Sequence, residues 1–144
     1  MWELAADLNA HRGYDHPIAT STITGMPQRG DTSCQHALFM LRWLERPPED
    51  FIAQPRPGTA GVALPACDPA HRLRWDLAKL YAALDDARRV RGASWEQAAE
   101  RLYCTPSQLT GLRTAKFATG MRLAMRICQA MRRPAADFVY PADR

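Results

Sequence analysis

Apolar residues recur along this chain at helical spacing, in stretches separated by polar turns. In the second half, Leu73, Leu77, Leu80 and Leu84 step by four, three and four residues, so they line one face of a predicted helix. Three arginines follow this leucine face, and Gly92 then ends the pattern. The spacing therefore predicts a first helix that begins near residue 73.

Capping residues predict the next two helices. Ser94 with Gln97 three positions later has the pattern of a capping box, and an apolar stripe follows it. Thr105 before Pro106 is an N-cap followed by proline at the first helical position. This third helix is predicted to run through SQLTGLRTA, where only two leucines can anchor it. A fourth and a short fifth helix are indicated by Met121, Ala124, Met125, Cys128 and Met131 and by Pro134.

The chain also repeats itself. TSTITGM at 20–26 aligns with PSQLTGL at 106–112, and LERPPEDFI at 44–52 aligns with MRRPAADFV at 131–139. The offset changes only from 86 to 87 between the two blocks. Because chance matches do not keep register over such a length, we interpret the chain as two copies of one supersecondary unit.

The first copy is incomplete. Its fourth helix, SCQHALFMLRWLE, is well marked, but MWELAADLN can be aligned either with SWEQAAERL as the second helix or with WDLAKLY as a shortened first helix. We favour the former, because it keeps the order helix, turn, helix. In both alignments the apolar face of this copy must be covered by the second copy or by another chain.

These patterns predict an all-α protein of two helix-turn-helix units. Residues 1–53 form a degenerate unit, residues 54–70 a linker rich in proline and glycine, and residues 71–144 a complete five-helix unit.

Charge divides the chain in the same way. The net charge of +4 combines −3 in residues 1–53, zero in residues 54–70 and +7 in residues 71–144. Between Arg88 and Arg133, ten basic residues stand against Glu96 and Glu100 alone. Such a surface is typical of a polyanion partner. By charge alone, a merely solvated basic surface fits equally well.

RVRGASWEQAAERLYCTPSQLTGLRTAK and the closing RRPAADF together resemble the helix-turn-helix domain of the lambda-repressor and Cro-like (Xre) family. The resemblance covers the second half of the chain, and residues 20–52 match more weakly. It implies five short helices, of which the third enters the DNA major groove.

On this resemblance the third helix would contact double-stranded DNA, with Gln108 able to pair with adenine. Thr105, Arg113, Thr114 and Lys116 are better placed for phosphates than for bases. The predicted DNA-binding residues are Thr105, Ser107, Gln108, Thr110, Gly111, Arg113, Thr114 and Lys116. The corresponding helix of the first copy offers Ser21, Thr22, Thr24 and Arg29, in surroundings whose negative charge opposes phosphate binding. We therefore favour a degenerate copy, used for pairing or as a weak second reader, over an equal DNA-binding partner.

Two positions depart from the family pattern. Tyr103 stands where the family usually has glycine, so a positive φ there would be strained. Trp95 stands where the family often has a phosphate-contacting glutamine, and we assign it to packing.

Other function classes find little in the sequence. No apolar run is long enough to cross a membrane and no basic-then-apolar leader is present, so we expect a cytoplasmic protein. The four cysteines lack C-x-x-C spacing and are expected to be reduced thiols, and we expect neither a metal, a cofactor nor an enzyme active site. The leading hypothesis is a transcriptional regulator that acts as a homodimer or as an intramolecular pseudo-dimer. The alternative is a protein-interaction module, such as an antitoxin or accessory subunit.

Overall fold

The structure of the chain is a computed structural model, which describes residues 31–115 and 119–143. These residues form five α-helices, three 3-10 turns and two strands. In chain order the elements are α1 (Cys34–Leu44), a 3-10 turn (Pro48–Phe51), β1 (His71–Trp75), α2 (Leu77–Val90), α3 (Trp95–Arg101), α4 (Pro106–Thr110), a 3-10 turn (Gly111–Arg113), α5 (Met121–Ala130), a 3-10 turn (Ala135–Phe138) and β2 (Val139–Asp143).

The all-α prediction is wrong, because β1 and β2 pair as a two-stranded antiparallel sheet. Leu73 lies opposite Pro141, and Trp75 lies opposite Val139. Leu73 and Trp75 are buried while their neighbours are half-buried, which is the alternation of a strand. The four-residue spacing from Leu73 to Leu77 imitated one helix face, although the two residues belong to different elements.

The first helix of the second half, α2, therefore begins at Leu77 rather than near residue 73. The Asp76 side chain caps it by accepting a hydrogen bond from the Lys79 backbone at 2.9 Å. Leu77, Leu80 and Leu84 face the core as the spacing predicted. The predicted fifth helix is only the 3-10 turn Ala135–Phe138, which leads directly into β2.

The described residues share one buried apolar cluster. It contains Cys34 and Leu38 of α1 together with buried residues of each of the helices α2, α3, α4 and α5. Since α1 lies in the same cluster as α2 to α5, the second half covers part of the apolar face of the first copy.

Polar contacts also fasten α1 to the sheet. The buried Gln35 side chain donates to the Leu73 carbonyl at 2.7 Å. The Arg42 guanidinium donates to the carbonyls of His71, Cys67 and Asp68 at 2.8 to 3.1 Å. These bonds orient α1 across β1 and satisfy carbonyls at the end of the segment that precedes the strand.

A backbone bridge joins equivalent positions of the two halves. Ser33 and Gly120 form an antiparallel bridge, the Cys34 amide donates to the Thr119 carbonyl at 2.9 Å, and the Met121 amide donates to the Thr32 carbonyl at 2.7 Å. Each of these partners is 87 residues from its equivalent in the other half. The N-termini of α1 and α5 are thus related as two copies of one element.

The C-termini of these helices repeat the same geometry. Glu45 and Arg132, again 87 positions apart, both have φ of 55°. Arg46 pairs with Asp50 at 2.9 Å, and Arg133 pairs with Asp137 at 3.0 Å. Each arginine also lies over the phenylalanine that ends the following 3-10 turn, Phe51 or Phe138.

The segment between the copies has no strand or helix from residue 52 to residue 70, but it is held at one point. The Arg56 amide donates to the Gln129 side chain at 2.6 Å, and the same side chain donates to the Thr59 hydroxyl at 3.1 Å. Thr59 is fully buried. The segment therefore packs against α5.

Candidate nucleic-acid interface

The helix α3 begins where its capping residues predicted. The Ser94 hydroxyl accepts from the Gln97 amide at 3.1 Å, and the Gln97 side chain accepts from the Ser94 amide at 2.9 Å. The predicted capping box is confirmed. Ala98 and Ala99 face the core, so α3 lies close against the rest of the domain.

The turn between α3 and α4 is closed by Tyr103, which has φ of 54°. The Cys104 amide donates to the Ala99 carbonyl at 3.0 Å, and the Tyr103 amide donates to the Glu100 carbonyl at 3.3 Å. This is a Schellman motif, with a non-glycine residue in the left-handed position that glycine usually occupies. Such a conformation costs about 1 kcal/mol or more at a residue with a side chain.

The Tyr103 ring is 82% exposed and lies beneath an arginine. The Arg126 guanidinium is 5.6 Å from the ring centroid, within the range of a cation–π contact. The contact offsets part of the strain, and it brings a basic side chain of α5 next to the turn.

A second capping box begins α4. The Thr105 hydroxyl accepts from the Gln108 amide at 3.2 Å, and the Gln108 side-chain oxygen accepts from the Thr105 amide at 2.9 Å. Pro106 occupies the first turn, as predicted. The Gln108 side chain therefore has a structural role, while its Nε2 group makes no hydrogen bond to the residues that the structure describes.

Two leucines hold this helix and the 3-10 turn after it against the core. Leu109 and Leu112 are both fully buried. The α-helix ends at Thr110, so the predicted longer helix is an α-helix of five residues continued by a 3-10 turn to Arg113. The exposed residues of this segment are Thr105, Ser107, Gln108, Thr110, Gly111, Arg113 and Thr114.

Several of these polar groups are already engaged locally. The Thr110 hydroxyl donates to the Pro106 carbonyl at 3.2 Å, and the Thr114 hydroxyl donates to the Gly111 carbonyl at 3.4 Å. Both hydroxyl oxygens can still accept a bond. Gly111 has no atom within 4 Å of the position that a Cβ would occupy, so this surface is open.

The Arg113 side chain lies against a row of aromatic and cationic side chains. Its guanidinium lies 5.9 Å from the Tyr81 ring centroid, and Tyr81 stacks on Trp95 with centroids 5.5 Å apart. The Arg88 guanidinium covers the far side at 4.6 Å from the Trp95 ring. The row Arg88, Trp95, Tyr81, Arg113 links three helical elements, and it fits the assignment of Trp95 to packing.

Ion pairing divides the basic residues of this region into two groups. Asp85 binds Arg88 at 2.7 Å and Arg89 at 2.9 Å, so that charge is partly neutralised. Within residues 31–115 and 119–143, no salt bridge is formed by Arg91, Arg101 or Arg113. Each of these three is exposed and adds positive potential around α3 and α4.

The structure thus brings seven of the eight predicted residues of the second copy onto one exposed segment. Lys116 lies outside the described residues, as do Ser21, Thr22, Thr24 and Arg29 of the proposed second reader. Sequence reasoning missed the support that Tyr81 gives to Arg113. The two residues are 32 positions apart, and no local pattern connects them.

The cysteines are free thiols. Burial raises the pKa of the Cys34 thiol to about 12, and the nearby Asp31 carboxylate adds to the rise. Burial likewise raises the pKa of Cys128 well above its usual range. Thiolates are the reactive form, so both residues are inert packing groups. In the described part of the chain, no group of three or more His, Cys, Asp or Glu residues could hold a metal ion.

No protein-family model, curated protein or solved structure matched this chain. The likeness to the lambda-repressor and Cro-like family therefore stays a prediction from the residues quoted above. Among the helices described, none is long and apolar enough to cross a membrane.

Proposed function

We propose that this protein binds double-stranded DNA through α4 and the following 3-10 turn, and that it regulates transcription. One observation carries the proposal. In the segment 105–114, two fully buried leucines anchor the chain to the core. Apart from these leucines and Pro106, every residue of the segment is exposed and is either polar or glycine. Thr105 and Gln108 also cap the helix, but the Ser107 hydroxyl and the Gln108 Nε2 group make no hydrogen bond to the described residues and are available to a partner.

The exposed groups suit the two kinds of contact that a duplex offers. The Gln108 Nε2 group is a free donor at the start of the helix, and Ser107 is exposed beside it. Glutamine and serine can both bond base edges in the major groove. Arg113, at the other end, is positioned by the Tyr81 ring and suits a phosphate oxygen.

Charge favours the same surface. The second half of the chain carries a net +7, and Arg91, Arg101 and Arg113 form no salt bridge with the described residues. A basic surface attracts any duplex through counterion release, and specific contacts then select among sequences.

A salt titration with random duplex DNA tests the proposal. Binding should weaken steeply with salt, and Arg113→Ala should lower affinity on every sequence and reduce the log–log salt slope by about one. The matched control is Arg132→Ala, which removes the same charge just beyond the C-terminal end of α5. That variant should retain the slope of the unmodified protein. Absence of binding at low salt would exclude the proposal.

The protein-interaction alternative would use apolar surface rather than α4. It predicts weak binding to DNA that is insensitive to Arg113, so the same titration separates the two functions. An apolar cleft elsewhere on the molecule is the observation that keeps this alternative in view.

A further inference from the structure

An apolar cleft of about 670 Å³ opens between α1, α5 and the 3-10 turn Pro48–Phe51. Its walls include Met40, Leu41, Leu44, Phe51, Met121 and Met125. Leu44 is 44% exposed and Phe51 is 60% exposed, which is unusual for large apolar side chains that lie side by side. The cleft is large enough to receive several side chains.

Few polar groups of the cleft are free to bind a polar ligand. The Gln129 amide is occupied by Arg56 and Thr59, and the Arg126 guanidinium lies over the Tyr103 ring. The chemistry of the cleft therefore suits apolar side chains rather than a charged small molecule.

The two-fold relation between the halves indicates what covers such a face. Residues 87 positions after Met40, Leu41 and Phe51 are Ile127, Cys128 and Phe138. All three of these later residues are fully buried. In the first half Met40 is half-buried and Phe51 is exposed, so these two positions are more open than their equivalents, whereas Leu41 is buried like Cys128.

In the second half, residues that precede α5 share the buried cluster with it. Leu109 and Leu112 belong to the same buried cluster as Ile127 and Cys128. The Lys79 ammonium of α2 lies 6.0 Å from the Phe138 ring centroid. In the first half, the chain that precedes α1 is residues 1–33.

The repeat supplies the matching side chains. The 20–26 block aligns with 106–112, so Ile23 corresponds to Leu109 and Met26 to Leu112. Asp31 lines the cleft, so this segment reaches α1 at the rim of the cleft. The eight residues from Ile23 to Gly30 can extend over about 26 Å, which is ample for Ile23 to enter it.

We propose that residues 1–29 of this same chain occupy the cleft, with Ile23 and Met26 taking the places that Leu109 and Leu112 take in the second half. The chain then completes its first unit intramolecularly and needs no partner to cover α1. The inference does not depend on DNA binding.

A double-mutant cycle in the full chain tests the docking. Ile23→Ala and Met40→Ala are made singly and together, and unfolding by denaturant is measured at two protein concentrations about twentyfold apart. Residues in contact should couple. Each single variant raises the unfolding equilibrium constant by some factor, and the factor for the double variant should be smaller than the product of the two single factors by at least about threefold. Ser21→Ala is the matched control, because it aligns with the exposed Ser107 and should combine with Met40→Ala without coupling.

Two results of the cycle would overturn the proposal. Independent effects of Ile23→Ala and Met40→Ala would mean that the segment does not fill the cleft. Coupling that disappears on dilution would identify a second copy of the chain as the occupant.

Hydrogen exchange of the unmodified chain gives a test that needs no variant. The amides of residues 22–26 should exchange at least about tenfold more slowly than those of an unstructured peptide, as the amides of a packed helix do. Exchange at the unstructured rate would contradict the docking directly.

Discussion

Replacing Gln108 by glutamate separates the two roles that its side chain combines. The side-chain oxygen caps α4 by accepting from the Thr105 amide at 2.9 Å, while Nε2 has no partner among the described residues. Glutamate keeps an oxygen for the cap and replaces the free donor with a negatively charged acceptor. Alanine removes both groups.

The two substitutions should therefore affect stability differently. Gln108→Ala leaves the exposed Thr105 amide to water and should cost about 0.5 to 1 kcal/mol of unfolding free energy. Gln108→Glu restores the usual capping-box residue and places an acid in the first turn, so its stability should stay within about 0.5 kcal/mol of the unmodified protein.

Binding should show the opposite order. On a preferred duplex, selected beforehand from a random library, Gln108→Glu loses a base contact of about 1 to 3 kcal/mol, a fall in affinity of roughly 5-fold to 150-fold. The added carboxylate also repels phosphates, so affinity for random DNA should fall as well. Gln108→Ala should lose affinity on the preferred site and change random binding little.

Denaturant unfolding and fluorescence anisotropy with labelled duplexes measure the two effects. A Gln108→Glu protein that keeps full affinity for its preferred duplex would refute the contact between α4 and the groove. A Gln108→Glu protein that is as unstable as Gln108→Ala would instead refute the capping role.

Two further predictions concern stability alone. Glu45→Gly should raise the unfolding free energy by about 1 kcal/mol, because φ is 55° there and the carboxylate lies at the C-terminal end of α1, where negative charge is unfavourable. Glu45→Ala keeps the backbone strain and should gain less stability. Equal gains for the two variants would contradict this reason. His71 donates to Asp68 at 2.6 Å and lies 3.1 Å from Asp143, and the hydrogen bond to Asp68 raises its pKa. This stabilisation is complete below the ordinary histidine pKa of about 6.5 and is lost as pH rises through the higher folded value. The melting-temperature difference between the unmodified protein and His71→Asn should therefore shrink from about pH 5 to about pH 8, and a difference independent of pH would exclude the ion pairs.

Local chemistry was readable from the sequence. The Ser94–Gln97 capping box, the Thr105 N-cap and the proline at the start of α4 each depend on residues within a few positions of one another. The same holds for α1, whose apolar helical pattern is contained in one continuous stretch. The candidate site, as a list of exposed residues on α4 and next to it, follows from this local information.

Contacts between distant segments were not readable in this way. Leu73 fits a helix face by its spacing to Leu77, and only pairing with Pro141 at the far end of the chain makes it part of a strand. Strand pairing depends on a partner that local periodicity does not specify. The contact of Arg113 with Tyr81 and the apolar cleft beside α1 also depend on distant segments, because both are made by side chains that meet only after the helices pack.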